Sequence, residues 1–110
     1  MRQAGIVAAG ALHALEHHQE RMIQDHSKAA YLADVLSALP GVIVLPQETN
    51  IVIADLVERG LSQEPIVEQL AAEGVSALGF GATRFRLVTH LDIDDDHIAR
   101  AAQVIKKVLA

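Results

Sequence analysis

His13-Ala14-Leu15-Glu16-His17 is the first group of residues whose types and spacing could do chemistry. On a helix the two histidines stand one turn apart, which suits two zinc ligands, and Glu16 would sit where a general base belongs. A catalytic zinc needs a third protein ligand and a cleft as well. His18, Glu20 and His26 all fall on the same helical run. The pattern therefore ranks behind an ordinary helix surface at the end of an apolar segment. Asp92, Asp94 and Asp96 have the spacing that opens a calcium loop, but His97 stands where glycine is required and Gln103 where a bidentate glutamate is required. A helix cap explains them better. Gly79-Phe80-Gly81 precedes a strand and not a helix, so it reads as a hairpin turn and not as an anion cradle. Lys28 follows a hydroxyl residue, Ser27, but lies on a polar helical stretch that offers no desolvated pocket to lower an amine pKa. Lys106 and Lys107 fail in the same way.

Arg86 stands differently. Side chains alternate across a strand, so in a strand over 84–90 Phe85, Leu87 and Thr89 share one face, and Arg84, Arg86, Val88 and His90 the other. If Phe85 and Leu87 face the core, Arg86 projects away from it and is free to bind something outside. The alternative is a surface arginine paired with an acid.

The elements that would hold these residues follow from periodicity and punctuation. Residues 3–38 contain no proline and read as one long helix, or as two with a break near His17–Glu20. Ala4 to Leu15 is apolar nearly all the way round, the pattern of a helix buried on every side. Pro40-Gly41 ends the run. Strands are expected over 42–45, 50–56, 75–78 and 84–90, with a turn at 79–82. Ser62 caps a helix over 63–73, with Pro65 in its first turn and Gly74 after its end. Asp94 caps a last helix to about Leu109, acidic in its first turn and basic in its last. Strands with short connections pair antiparallel. The order predicts an α+β fold, two-layered, with helices on one face of a small, mostly antiparallel sheet.

The chain has 110 residues, enough for one domain over 1–110, and a net charge of −5. The acids are spread along it, and no basic cluster or basic amphipathic stretch points to nucleic acid or to a membrane surface. There is no cysteine, so disulfides and thiolate metal sites are excluded. Met1 to Leu15 does not read as a signal peptide and is too short to span a bilayer, so a cytoplasmic location is expected.

Met1-Arg2-Gln3-Ala4-Gly5 opening an Ala-rich helix, Ala14-Leu15-Glu16-His17-His18, Glu20-Arg21, Asp25-His26, Thr49-Asn50-Ile51-Val52 and Arg86-Leu87-Val88-Thr89-His90-Leu91-Asp92 occur in that order. Together they make the chain resemble the C-terminal, small domain of low-specificity L-threonine aldolases, lyases of the pyridoxal phosphate (PLP) fold type I class. The resemblance implies cleavage of L-threonine to glycine and acetaldehyde in the full-length protein, with PLP as electron sink. It implies that Arg86 binds the α-carboxylate of a small amino-acid substrate and makes Arg2 a candidate contact to the cofactor phosphate. It gives His90 a structural role. It also implies that the Schiff-base lysine, the group stacked on PLP and the aspartate at the pyridine nitrogen lie upstream of the Met-Arg-Gln-Ala-Gly segment. The chain alone is then expected to have no catalytic residue, no bound metal and no bound cofactor. Its partner would be the PLP-binding domain or another copy of itself, met through the apolar helix 4–15. The other reading is a stand-alone, non-catalytic oligomerising or binding module derived from that domain.

Overall fold

The computed structural model describes residues 2–110. Helix α1 covers Ala4–His17 and α2 covers Met22–Ser37, so the long helical run is broken over 18–21. Strand β1 (Ile43–Val44) and strand β2 (Ile51–Asp55) follow, then a 3-10 turn over Val57–Arg59 and helix α3 (Gln63–Ala72). Strands β3 (Leu78–Phe80) and β4 (Arg84–Val88) form a hairpin, and α4 (Asp95–Leu109) closes the chain. The sheet order is β1-β2-β4-β3, with every neighbouring pair antiparallel. Val52 and Ala54 of β2 and Phe85 and Leu87 of β4 face the helices and are buried with Leu32 and Leu36 of α2, Ile66 and Leu70 of α3, and Ile105 and Leu109 of α4. This is the expected α+β arrangement of helices on one sheet face.

The caps behave as their chemistry requires. The Asp94 carboxylate accepts from the His97 amide at 2.8 Å, and His97 Nδ1 accepts from the Asp94 amide at 3.2 Å. This reciprocal pair closes the start of α4, and Asp94 is a helix cap. Gly74 follows α3 with φ +87°.

Two expectations are corrected. The third strand lies at 78–80 and not at 75–78, and Gly79 and Phe80 belong to it rather than to a turn. The register explains this: Leu78, Gly79 and Phe80 pair with Arg86, Phe85 and Arg84, and only 81–83 are left to turn the chain. Gly79 is required there by close approach, since a Cβ at that position would come within 2.8 Å of three atoms of the Gln63 amide. The second correction concerns α1. None of its residues is buried; Ile6 is 78% exposed and Leu15 62%. The cause is that nothing lies over it among the described residues. Its projection gives the molecule a long axis of 49 Å against 29 and 26 Å.

Candidate functional site

The two arginines of β4 stand on the open face of the sheet, and strand pairing decides what surrounds each. Residues directly opposite on neighbouring strands share a face, with Cβ atoms about 5 Å apart. Arg84 lies between Phe80 on β3 and Asp55 on β2. Arg86 lies between Leu78 on β3 and Ile53 on β2. The side chains therefore part company. Arg84 Nε donates to Asp55 Oδ2 at 2.7 Å. Arg86 forms no ion pair and no side-chain hydrogen bond among the described residues. The paired surface arginine on this strand is Arg84, and Arg86 is the free one.

Around Arg86 lies a shallow open depression of about 300 Å³, lined also by Ser76, Ala77, Leu78, Val88 and His90. Ala77, Leu78 and Val88 supply its apolar lining, and Ser76 and His90 are its polar residues besides the guanidinium. No acid lines it. An exposed guanidinium in such a frame suits a carboxylate, because the planar fork can donate two parallel hydrogen bonds and no neighbouring anion competes.

Asp55 is only 6% exposed. Its Oδ1 accepts from the Thr83 hydroxyl at 2.7 Å and from the Val57 amide at 3.0 Å. The Arg84 hydrogen bond first, and the Thr83 hydroxyl next, hold its carboxyl below the usual carboxylate range against the opposing effect of burial. Sequence reasoning missed this residue. A signal was available: period-2 alternation puts Asp55 on the same face as Ile51 and Ile53, but its partner needed the register.

β4 is positioned at its far end by Thr89. This residue is 1% exposed, and its hydroxyl donates to the Asp25 carbonyl of α2 at 2.7 Å. Its own amide donates to the Asn50 carbonyl at 2.9 Å, and the Asn50 side-chain amide donates to the Thr89 carbonyl at 2.6 Å. Asp25 is buried and takes a two-pronged ion pair from Arg21 at 2.8 and 3.0 Å. Three separated segments, 21–26, 49–52 and 86–92, thus meet at one end of the strand that carries Arg86.

The other candidates fall elsewhere. Arg2 is exposed just ahead of α1 and does not line the depression around Arg86. His13 and His17 are exposed on α1 with rings stacked 4.3 Å apart, and His17 Nδ1 is 2.9 Å from the His13 carbonyl. Glu16 is exposed on the same helix. Among the described residues no three histidine or carboxylate side chains are placed to hold a metal. Lys28 is not on a solvated face as its neighbours suggested. It is half-buried and donates to the Ile93 carbonyl at 2.7 Å, which ties α2 to the approach of α4. Lys107 is paired with Glu73. No described helix is long and apolar enough to cross a membrane.

The fold is that of a part of larger enzymes. The alpha-aminoadipate aminotransferase LysN of Thermus thermophilus, solved in complex with N-(5'-phosphopyridoxyl)-L-leucine, superimposes with a TM-score of 0.64 at 21% identity, over 96% of this chain and 30% of its own. The low specificity L-threonine aldolase of Escherichia coli K12 is 34% identical over 110 residues, covering 100% of this chain and 32% of the aldolase. The low-specificity L-threonine aldolase 1 of Arabidopsis thaliana is 33% identical over 96 residues, covering 84% of this chain and 27% of its own. The chain thus spans about a third of the curated relatives it matches. The family model for beta-eliminating lyases matches residues 1–59, more than half of the chain. With the aldolase match along its whole length, this places the chain in the beta-eliminating lyase family.

Proposed function

We propose that this chain is the C-terminal, substrate-carboxylate-binding domain of a PLP-dependent L-threonine aldolase, working with a PLP-binding domain that its own residues do not supply. The observation that carries the reading is Arg86, an outward guanidinium without an acid partner among the described residues, in a strand whose end is locked by Thr89. Arg86 holds the α-carboxylate of the amino acid through two parallel hydrogen bonds. This fixes the rotation of the substrate about its N–Cα axis, so that the Cα–Cβ bond is the one presented for cleavage. Leu78, Val88 and Ile53 keep the flank of the guanidinium dry once a partner domain covers the face, which strengthens the ion pair.

PLP supplies the electron sink for that cleavage when bound. The lysines of this chain do not make its site. Lys28 is committed to the Ile93 carbonyl, Lys107 is paired with Glu73, and Lys106 is exposed near the end of α4. The resemblance supports Arg2, in front of α1, only as a candidate contact to the cofactor phosphate, behind Arg86.

The test is direct. The DNA upstream of Met1 should encode the lysine-bearing domain in the same reading frame. The protein expressed with it should bind PLP and release acetaldehyde from L-threonine. The present chain expressed alone should do neither. PLP absorbance or threonine cleavage by the chain alone would sink the reading. A stand-alone oligomerising module is the second reading, favoured by the uncovered α1; a stop codon in frame just ahead of Met1 would select it.

A further inference from the structure

A second cavity lies where the end of β4 meets α2 and α4. It holds about 260 Å³, and its buried lining is Leu32 of α2, Leu87 and Thr89 at the end of β4, and Ile98 of α4. An apolar cavity of about 150 Å³ is enough to take benzene. Leu87 and Thr89 belong to the face of β4 that meets the helices, opposite to Arg86. Ser76, Val88 and His90 line both this cavity and the depression around Arg86, but Arg86 itself does not line it. Donors without a partner stand beside the apolar lining. Arg100 lines the cavity, is exposed, and makes no ion pair among the described residues. Its Nη2 lies 3.6 Å from where a Cβ on Gly74, another lining residue, would stand. His90 and His97 line the cavity as well. In each ring Nδ1 is taken up as an acceptor: the Asp92 amide donates to His90 at 3.3 Å, and the Asp94 amide to His97 at 3.2 Å. The proton of each neutral imidazole therefore sits on Nε2, which meets no acceptor among the described residues. The Thr89 hydroxyl is spent on the Asp25 carbonyl. No acid lines the cavity; Asp92 and Asp94 meet the two rings at Nδ1. An unpaired guanidinium and outward N–H groups beside an apolar hollow, in a chain of net charge −5, fit a ligand with an anionic head and an apolar body.

We propose that this cavity is a second binding site, for a small monocarboxylate with a hydrocarbon tail: the tail lies against Leu32, Leu87 and Ile98, and the carboxylate meets the Arg100 guanidinium with His90 and His97 beside it. Burial of the tail drives binding, and the guanidinium fork fixes the head. With no acid in the lining, an α-ammonium group would go unpaired there, so the occupant is not an amino acid. The site does not depend on Arg86 holding the substrate carboxylate, and its failure would leave that reading untouched.

The experiment uses the present chain, labelled with nitrogen-15 and with carbon-13 at its methyl groups. It follows the methyl signals of Leu32, Leu87 and Ile98 and the Nε–Hε signals of Arg86 and Arg100. The probes are sodium hexanoate, sodium acetate, 1-hexanol and L-norleucine at matched ionic strength. Hexanoate should move the methyl signals and Arg100 along one binding curve. It should bind there at least about tenfold more tightly than acetate, because its extra methylenes leave water. It should bind at least about fivefold more tightly than 1-hexanol, which lacks the charge, and than norleucine, which adds the ammonium group. Arg100→Gln should remove the preference for hexanoate over 1-hexanol. Arg86→Gln should change the affinity for hexanoate by less than about twofold, as expected of an independent site. Methyl signals that stay still while Arg86 or α1 responds overturn the proposal. So does hexanoate binding no tighter than acetate, norleucine binding as well as hexanoate, or an Arg100→Gln chain that keeps the preference over 1-hexanol. If Arg100→Gln does not fold, the wild-type comparison of the four probes still decides.

Discussion

Arg84 and Arg86 share a strand, a face and a side chain, and they differ only in the residue opposite. That difference makes one a structural ion pair and the other an open cation. On the proposed aldolase reading, with the chain joined to a PLP-binding domain, Arg86→Ala should cut kcat/KM for L-threonine by about 10²- to 10³-fold, the loss expected when one partner of a covered, hydrogen-bonded charge pair is removed. Arg86→Lys should recover only part, because an ammonium cannot form the two-pronged pair. Steady-state kinetics on the two variants checks both. The buried carboxylate of Asp55 carries its own signature. Its pKa in the folded chain is depressed by Arg84 and Thr83, so its contribution to stability is present above the unfolded value of about 3.9 and is lost as pH falls through the lower folded value. Urea titrations should find Asp55→Asn less stable than the wild type at pH 7, with the gap closing below about pH 4. A gap that persists unchanged at pH 2 would show that the charge of Asp55 is not what stabilises the strand pair.

At the scale of elements, the sheet's working strand is held by polar contacts that no periodicity argument reaches. Thr89 lies one residue past β4, and its hydroxyl joins β4 to α2 across 64 positions of sequence. Thr89→Val should cost about 1 kcal/mol of stability, the usual net value of a buried hydrogen bond. Thermal unfolding and the chemical shift of the Ala29 amide, the helical partner of the Asp25 carbonyl, would report it. The β3–β4 hairpin depends instead on space. Gly79→Ala should destabilise by about 1–3 kcal/mol, since the Gln63 side chain must leave its place against β3 for a methyl group to fit. Combining it with Gln63→Ala should return part of that loss; equal destabilisation with and without Gln63 would rule out the clash as the cause.

At the scale of the whole molecule, two apolar surfaces have nothing over them among the described residues. One is α1, with Ile6, Val7, Leu12 and Leu15 all more than half exposed. The other is the open sheet face, where Ile43, Ile51, Leu78, Phe80 and Val88 surround the arginines. Surfaces of this kind mark protein contacts. The chain alone should self-associate through α1, so that its sedimentation coefficient rises with concentration, and Ile6→Lys with Leu12→Lys should return it to a monomer. A single monomeric boundary at all concentrations would remove α1 as the contact.

Much of this molecule could be read from its residues in order. The helical run over 3–38 left one helix or two open, and the α+β class followed from the order of the elements; the Asp94 cap and the alternation that turns Arg86 outward from Phe85 and Leu87 are local. Each depends on residues within a turn or a strand of one another, which is the range over which backbone propensity and side-chain period act. The resemblance to threonine aldolases lay in short ordered segments and was equally legible. Tertiary structure alone decided the rest. The exposed state of α1 depends on what else covers it, which no local pattern encodes. The placement of β3 came from the register with β4 and from the Gln63 side chain, 16 positions away. The choice between two arginines came from which residue of β2 each one meets, and a register shifted by two residues would have set Arg86 opposite Asp55 instead.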